Sequence, residues 1–536
     1  MGRTLFWIGT ALLAAAACGE NEAGGPSSGR GKGKSDSSSV ATFLNFEIDG
    51  ELLASSATDP EDKIREQLFY TVGPLNNEDS VGRLDKIQTS DIKTEPAGEM
   101  TRITYRAILP VAWGKPDEVP GSWTLELPRD VSWSGIQSFF EKYKETCVSY
   151  GAHDMSASIF WYDYRTHRSD CHLDPADVVV VEAKVTPNPL ETSGRFPEYH
   201  KVWEDKALKV VSIFGLDEAA EEGDLGVRSY RQFIGQMMEL LGPHSPTTEP
   251  AELPEQYADV PAVTIRADLP GDRSVEISSF LVHRMTSTTA DFDQAYNKVS
   301  KQADLIAYNG HSGVGANIRA LARKGTWVAG QYVIVFMNGC DTYAYQDSAL
   351  ADAHRAVNPD DVNGTKYVDL ILNAMPAGWN LYRDDATTVL VKGLLDHESP
   401  RTFQRMFLDI AADQVVLVAG EEDNVYVPGY PGDGSPPVES WGGLDEQATL
   451  GAGEERTYAT PKLAPGRYEF TLSGDGNADL YLRVGTPATT SVWDCRPQRQ
   501  SSSEVCRVDL PTAAALHLLL RGVAQSSTVD LSGVRR

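Results

Sequence analysis

Two hydrophobic rhythms divide the chain. From about Val40 to Asp205, runs such as RITYRAILPVAW, SWTLELP and DVVVVEAKV alternate apolar and polar positions between Pro, Gly and Asp. A period of two between turn residues predicts a β-rich domain over 40–205, with one helical insert near SWSGIQSFFEKYKE. Over 206–428 the rhythm changes. Short continuous apolar runs (LKVVSIFG, ADLIAYNG, YVIVFMNG) are separated by segments with apolar residues at helical spacing, such as YRQFIGQMMELLG and ADFDQAYNKVSKQ. Uninterrupted apolar strands alternating with helices predict a parallel sheet covered on both faces. PGYPGDGSPPVESWGG then reads as a linker, 429–443, and RYEFTLSG, ADLYLRVG and LHLLLRG return to alternation, predicting a small β-sandwich over 444–536. The expected architecture is multidomain α/β plus β: a central parallel α/β sheet flanked by an N-terminal β-rich domain and a C-terminal β-sandwich.

The leader changes where this chain is expected to work. MGRTLFWIGTALLAAAACGE has one Arg, an apolar run from Leu5 to Ala17 and then Cys18. That is a secretory signal over 1–18, too short for a comfortable membrane span. It also resembles a bacterial lipoprotein signal, which implies lipid attachment to Cys18 and a membrane anchor. The polar Gly/Ser-rich stretch 19–39 is a flexible tether. Export to the cell envelope or beyond brings oxidising conditions, under which paired cysteines are structural. Cys147 and Cys171 can close locally, as can Cys495 and Cys506, and Cys340 is left over. Cys147, His153, His167, Cys171 and His172 fit no standard zinc spacing, which favours a disulfide with bystander histidines. The formal charge of −28 repels a phosphate backbone, and with no concentrated basic patch nucleic acid is not an expected partner.

Candidate chemistry sits at two strand ends. ADLIAYNGHSGVG (Ala303 to Gly315) and QYVIVFMNGCDTY (Gln331 to Tyr343) each close on Asn-Gly followed by a residue suited to acyl-transfer chemistry. Ligands of such sheets bind just beyond the carboxyl ends of the strands, where His311 and Cys340 both fall. Adjacent strands would present an imidazole beside a thiol, the pairing that nucleophilic thiol catalysis requires. Gly310, Gly313 and Gly339 permit tight turns with exposed N–H groups, and the Cys340 amide is a candidate oxyanion donor. Asn309 and Asn338 are expected to cap or orient these turns. Asp341, next to the sulfur, would raise the thiol's pKa unless it turns away.

NGHSG and NGCDT resemble the caspase/gingipain/legumain group of cysteine peptidases, and the export signal brings the gingipain-like branch closest. The resemblance covers about 206–428. It implies a caspase-like fold, Cys340 as nucleophile, His311 as general acid/base, the amides of Gly313 and Cys340 as oxyanion donors, a protein or peptide substrate, and no required cofactor. NADLYLRVGTPATTSVWDCRP with SSSEVC resembles the bacterial pre-peptidase C-terminal domain, which implies a Cys495–Cys506 disulfide. Asp475, Asn477 and Asp479 in GDGNADLY are candidate calcium ligands at alternate positions, against a plain reading as a hairpin turn with solvated acids. Two other functions compete. GHSGVG evokes the nucleophile elbow of serine hydrolases but has its second glycine one residue late. A catalytically inactive surface-anchored binding or adhesion protein on the same fold would make Cys340 a buried structural thiol.

Overall fold

The computed structural model describes residues 41–535, apart from 56–58, 116–117, 151, 153–154, 189–194, 375–376, 378–384, 411–413, 420–425, 427–440, 465, 498 and 511–513. The leader, the tether, Cys18, His153 and most of the 429–443 linker therefore lie outside the described residues.

Four sheets carry the chain. The first is antiparallel and built on two long partners, Thr42–Ser55 and Met100–Trp113, in continuous register from Thr42↔Trp113 to Ser55↔Met100. Its alternation is the predicted one. Leu44, Phe46, Ile48, Leu52 and Ala54 point inward and are buried, so a period-two sequence gives one wet and one dry face. Helix Trp133–Tyr143 starts at Ser132, whose side chain accepts from the Gly135 N–H. The last two sheets face each other as a sandwich. One holds Leu444–Gly451, Gly466–Asp475, Glu504–Leu510 and Ser526–Arg535; the other holds Glu455–Ala459, Ala478–Val484 and Leu516–Gly522. Their inward residues, among them Phe470, Leu480 and Leu518, form one core.

The central layer corrects the expected architecture. The chain as a whole is β-dominated, three of its four sheets are antiparallel, and the central eight-stranded sheet is mixed rather than a parallel caspase-like one. Its five inner strands Ala207–Gly215, Arg273–Val282, Leu305–Asn309, Val333–Asn338 and Val368–Asn373 run parallel to one another. Val416–Ala419 closes one edge antiparallel, and Ala262–Leu269 with Thr247–Glu249 closes the other. The departure has a local cause at Pro270-Gly271-Asp272. Gly271 and Asp272 take φ of 77° and 60°, a turn that folds Ala262–Leu269 straight back onto Arg273–Val282 as a hairpin.

Along the inner strands, successive residues enter different cores. Leu305, Ala307, Ile334 and Phe336 join helices Leu225–Leu241 and Ala386–Leu395 on one side. Ile306, Tyr308, Val333, Val335 and Met337 pack on the other side with helices Ala290–Val299 and Ala316–Ala322, in a core continuous with the N-terminal sheet. A strand buried on both faces needs an unbroken apolar run, which these sequences supply.

Candidate functional site

Strand register sets the turns that carry His311 and Cys340 side by side. Asn309 lies opposite Asn338, the last residues of adjacent parallel strands. The pairing persists one residue further, where the Gly310 N–H donates to the Asn338 carbonyl at 3.1 Å. Each candidate residue is therefore the second after a matched strand end. The two turns approach so closely that a Cβ on Gly339 would lie 2.7 Å from the Gly310 oxygen and 3.2 Å from the Ser312 nitrogen. Only glycine fits there. Gly313, with φ of 59°, lies two residues past His311 in the loop leading to Ala316–Ala322.

The imidazole is fixed from both ends. The His311 carbonyl accepts from the Tyr308 hydroxyl at 2.8 Å and from Asn317 Nδ2 at 2.9 Å. Its Nε2 pairs with Asp217 Oδ1 at 2.8 Å. Asp217 follows the strand Ala207–Gly215, which pairs with the His311 strand on the side away from Cys340. Asp224 organises that turn. Its carboxylate accepts from the N–H groups of Asp217, Glu218 and Ala219 at 3.1, 2.9 and 3.1 Å while capping helix Leu225–Leu241 through Gly226 and Val227. A carboxylate on one imidazole nitrogen selects the tautomer and orients the ring.

Cys340 differs from the sequence expectation. It is not a leftover thiol: its sulfur is disulfide-bonded, and no cysteine among the described residues is free. The residue is 1 % exposed and its Sγ lies 3.8 Å from the Ala377 carbonyl oxygen.

Asp341 turns away from the sulfur. It takes a left-handed conformation, φ 52° and ψ 33°, and buries its carboxylate in the N-terminal domain, where Asn76 Nδ2 donates to Oδ2 at 3.1 Å. Burial pushes its pKa up to about 7, with Arg165 and hydrogen bonds from Asn76 and Tyr162 pulling the other way. The following turn, Thr342–Tyr345, is gripped by the same domain. Tyr343 meets the Phe43 ring at 6.2 Å and the Arg83 guanidinium at 5.4 Å, and Tyr345 meets Trp161 at 6.2 Å. The N-terminal domain thus forms the back of the Cys340 turn.

Asp217, Asp224 and the cluster of Asn76, Tyr162 and Arg165 escaped the sequence reading. The signal for Asp217 was present: LKVVSIFGLDE is a third buried strand ending in Gly, with an acid two residues on. Nothing comparable flags the cluster on Asp341, which joins residues more than 170 positions apart.

The other candidate ligands are not assembled. Asp479 pairs with Arg496 at 3.2 Å and accepts from the Tyr481 hydroxyl, so a fixed cation already faces it. Asp475 and Asp479 belong to strands of different sheets, and among the described residues no group of three or more His, Cys, Asp or Glu side chains could hold a metal ion. Cys147–Cys171 and Cys495–Cys506 are disulfides with S–S distances of 2.03 and 2.19 Å.

No family model matches the chain. A zinc metalloprotease of Helicobacter pylori is 43% identical over 80 residues, 15% of this chain and 31% of that protein. The hemagglutinin/proteinase of Vibrio cholerae is 43% identical over 80 residues, 15% of this chain and 13% of that protein. Alkaline serine exoprotease A of Vibrio alginolyticus is 38% identical over 58 residues, 11% of each chain. The chain spans less than a third of the length of each of these curated relatives. These findings overturn the caspase/gingipain/legumain kinship, since the relatives are a zinc metalloprotease, a hemagglutinin/proteinase and a serine exoprotease. They also overturn the expectation that no cofactor is required, which rested on that kinship, because one of these relatives is named for zinc. The described residues do not themselves fit the metal, and His-Glu-x-x-His, which presents two zinc ligands and a base on one helix face, occurs nowhere in the 536 residues.

Proposed function

We propose that the chain is an exported peptidase acting on protein or peptide substrates, with Cys340 as nucleophile and His311 as general acid/base oriented by Asp217. The observation that supports this reading is the register of the two strand ends, Asn309 opposite Asn338, together with the pairing of the His311 imidazole to Asp217. The chemistry belongs to the protein with Cys340 reduced to the thiol. The Cys340 sulfur loses its proton to His311 and attacks the substrate carbonyl. The C–N bond breaks as His311 returns the proton to the leaving amine, and water then releases the acyl group from the sulfur. The N–H groups of Cys340 and Gly313 are the proposed donors to the oxyanion. Export rests on the leader, and Cys18 is the proposed lipid attachment site, tested by metabolic labelling with palmitate.

The relatives' names favour a second reading, a zinc-dependent peptidase. One experiment separates the two: cleavage of fluorescein-labelled casein by the reduced full chain, its Cys340→Ala variant, and the chain treated with 1,10-phenanthroline. The thiol reading requires Cys340→Ala to abolish turnover with the chelator without effect. Loss of turnover to the chelator with Cys340→Ala active establishes the zinc reading. Absence of turnover in every arm leaves the binding or adhesion function.

A further inference from the structure

We propose that Asn373 is a positioning residue that fixes the direction of the Cys340 N–H, turning it to the side opposite the Gly339 carbonyl, an inference that rests on Cys340 being the nucleophile. The ends of three adjacent strands carry asparagines, Asn309, Asn338 and Asn373, and their buried side chains form one lateral ladder. Asn373 Nδ2 donates to Asn338 Oδ1 at 2.7 Å, and Asn338 Nδ2 donates to Asn309 Oδ1 at 3.1 Å. Gln414 Nε2 donates to Asn338 Oδ1 at 2.6 Å, and the Thr387 hydroxyl donates to Asn309 Oδ1 at 2.8 Å. Three amides in a row at an otherwise apolar layer are retained at a desolvation cost that apolar residues would avoid.

The end of the ladder explains that retention. Asn373 Nδ2 also donates to the Gly339 carbonyl at 3.2 Å, and the Asn373 backbone N–H donates to Thr342 Oγ1 at 2.9 Å. Thr342 Oγ1 in turn donates to the Met337 carbonyl at 2.8 Å. Asn373 therefore grips the Cys340 turn on both sides of the sulfur. The Gly339–Cys340 peptide is trans, since the cis bond is at Glu249-Pro250, and a trans peptide sets its C=O and N–H in opposite directions. Holding the Gly339 carbonyl inward on Asn373 forces the Cys340 N–H outward, on the side where an oxyanion would form.

The test compares the reduced full chain with Asn373→Ala on fluorescein-labelled casein, alongside iodoacetamide alkylation followed at the Cys340 peptide by mass spectrometry. Alkylation needs the thiolate but forms no oxyanion. Positioning predicts kcat down about 10- to 100-fold, the size expected when a reacting group is misplaced by about 1 Å, with KM and the Cys340 alkylation rate within about twofold of the parent chain. Unchanged kcat overturns the inference, as does alkylation slowed by the same factor as kcat, which would make Asn373 a support of the fold alone. Should Asn373→Ala not fold, Asn373→Leu, which fills a similar volume without a donor, is read by the same measurements against the same limits. Full activity in Cys340→Ala would sink the underlying reading; a dead Cys340→Ala with a fully active Asn373→Ala sinks only this inference.

Discussion

Replacing Asp341 by Asn should make the protein more stable in alkaline solution and leave it nearly unchanged in acid. The carboxyl is fully buried and its pKa is pushed from 3.8 to about 7. At about 1.4 kcal/mol per pH unit, that displacement corresponds to about 4 kcal/mol. The folded chain keeps a proton that the unfolded chain has released, so stability falls as pH rises from about 4 to about 7 and levels off above. About 3 kcal/mol of this lies between pH 5 and 7, at the same rate per pH unit. The substituted side chain would keep the shape, and its amide oxygen would still accept from Asn76, but it cannot ionise. Arg165 and Tyr162 face the group from the N-terminal domain, and their response to pH is shared by both chains. Urea unfolding of parent and Asp341→Asn at pH 5 and pH 8, followed by far-ultraviolet circular dichroism, gives the difference directly. A gap that widens by about 3 kcal/mol in favour of the variant supports the reasoning. Parallel curves at the two pH values would show that Asp341 is ionised without penalty, and the buried-acid argument would fail.

His354 makes the opposite prediction. Both its ring nitrogens are buried without a hydrogen-bond partner, its ring lies 4.6 Å from that of Trp327, and burial lowers its pKa to about 4. Stability should drop by about 3 kcal/mol as pH falls from 6.5 to 4, and the pH dependence of Tm between about 7 and 5 should be shallower in His354→Phe. Asp217→Asn should cut kcat/KM on casein by about 10²-fold or more while leaving Tm within a few degrees, because it removes the imidazole's orienting partner; full activity would remove Asp217 from the site. Gly339→Ala drives a methyl group against the Gly310 carbonyl and should cost about 10²-fold in kcat by moving Cys340, with Tm recorded as the control; a variant of parental activity would show that the two turns need not touch.

The sequence made the strand ends legible because a strand buried on both faces must be written as an unbroken apolar run, and Asn-Gly marks where each run stops. That sufficed to place the turns carrying His311 and Cys340 at the ends of adjacent strands. It did not reveal the antiparallel edges of the central sheet, since Ala262–Leu269 alternates like a surface strand and only the left-handed Gly271-Asp272 turn folds it back. Nor did it find the groups around Asp341. Asn76, Tyr162 and Arg165 are common residues in unremarkable local settings, and their burial against Asp341 exists only once two sheets share a core. Kinship was misjudged for a related reason: NGHSG and NGCDT are short enough to arise from turn chemistry, whereas the relatives match stretches of 58 to 80 residues.

The shared core also bears on how this protein could be matured. Phe43, Asn76, Arg83, Trp161 and Arg165 are bolted to the residues just after Cys340, and Val211, Ile306 and Val335 sit in the same apolar mass as Phe46 and Leu109. The N-terminal domain therefore does not behave as a removable stopper. Severing the chain near Asp205 would leave the two parts clasped, and pulling them apart would expose hydrocarbon. Discarding this region would uncover that shared core, and the central sheet expressed alone should be insoluble.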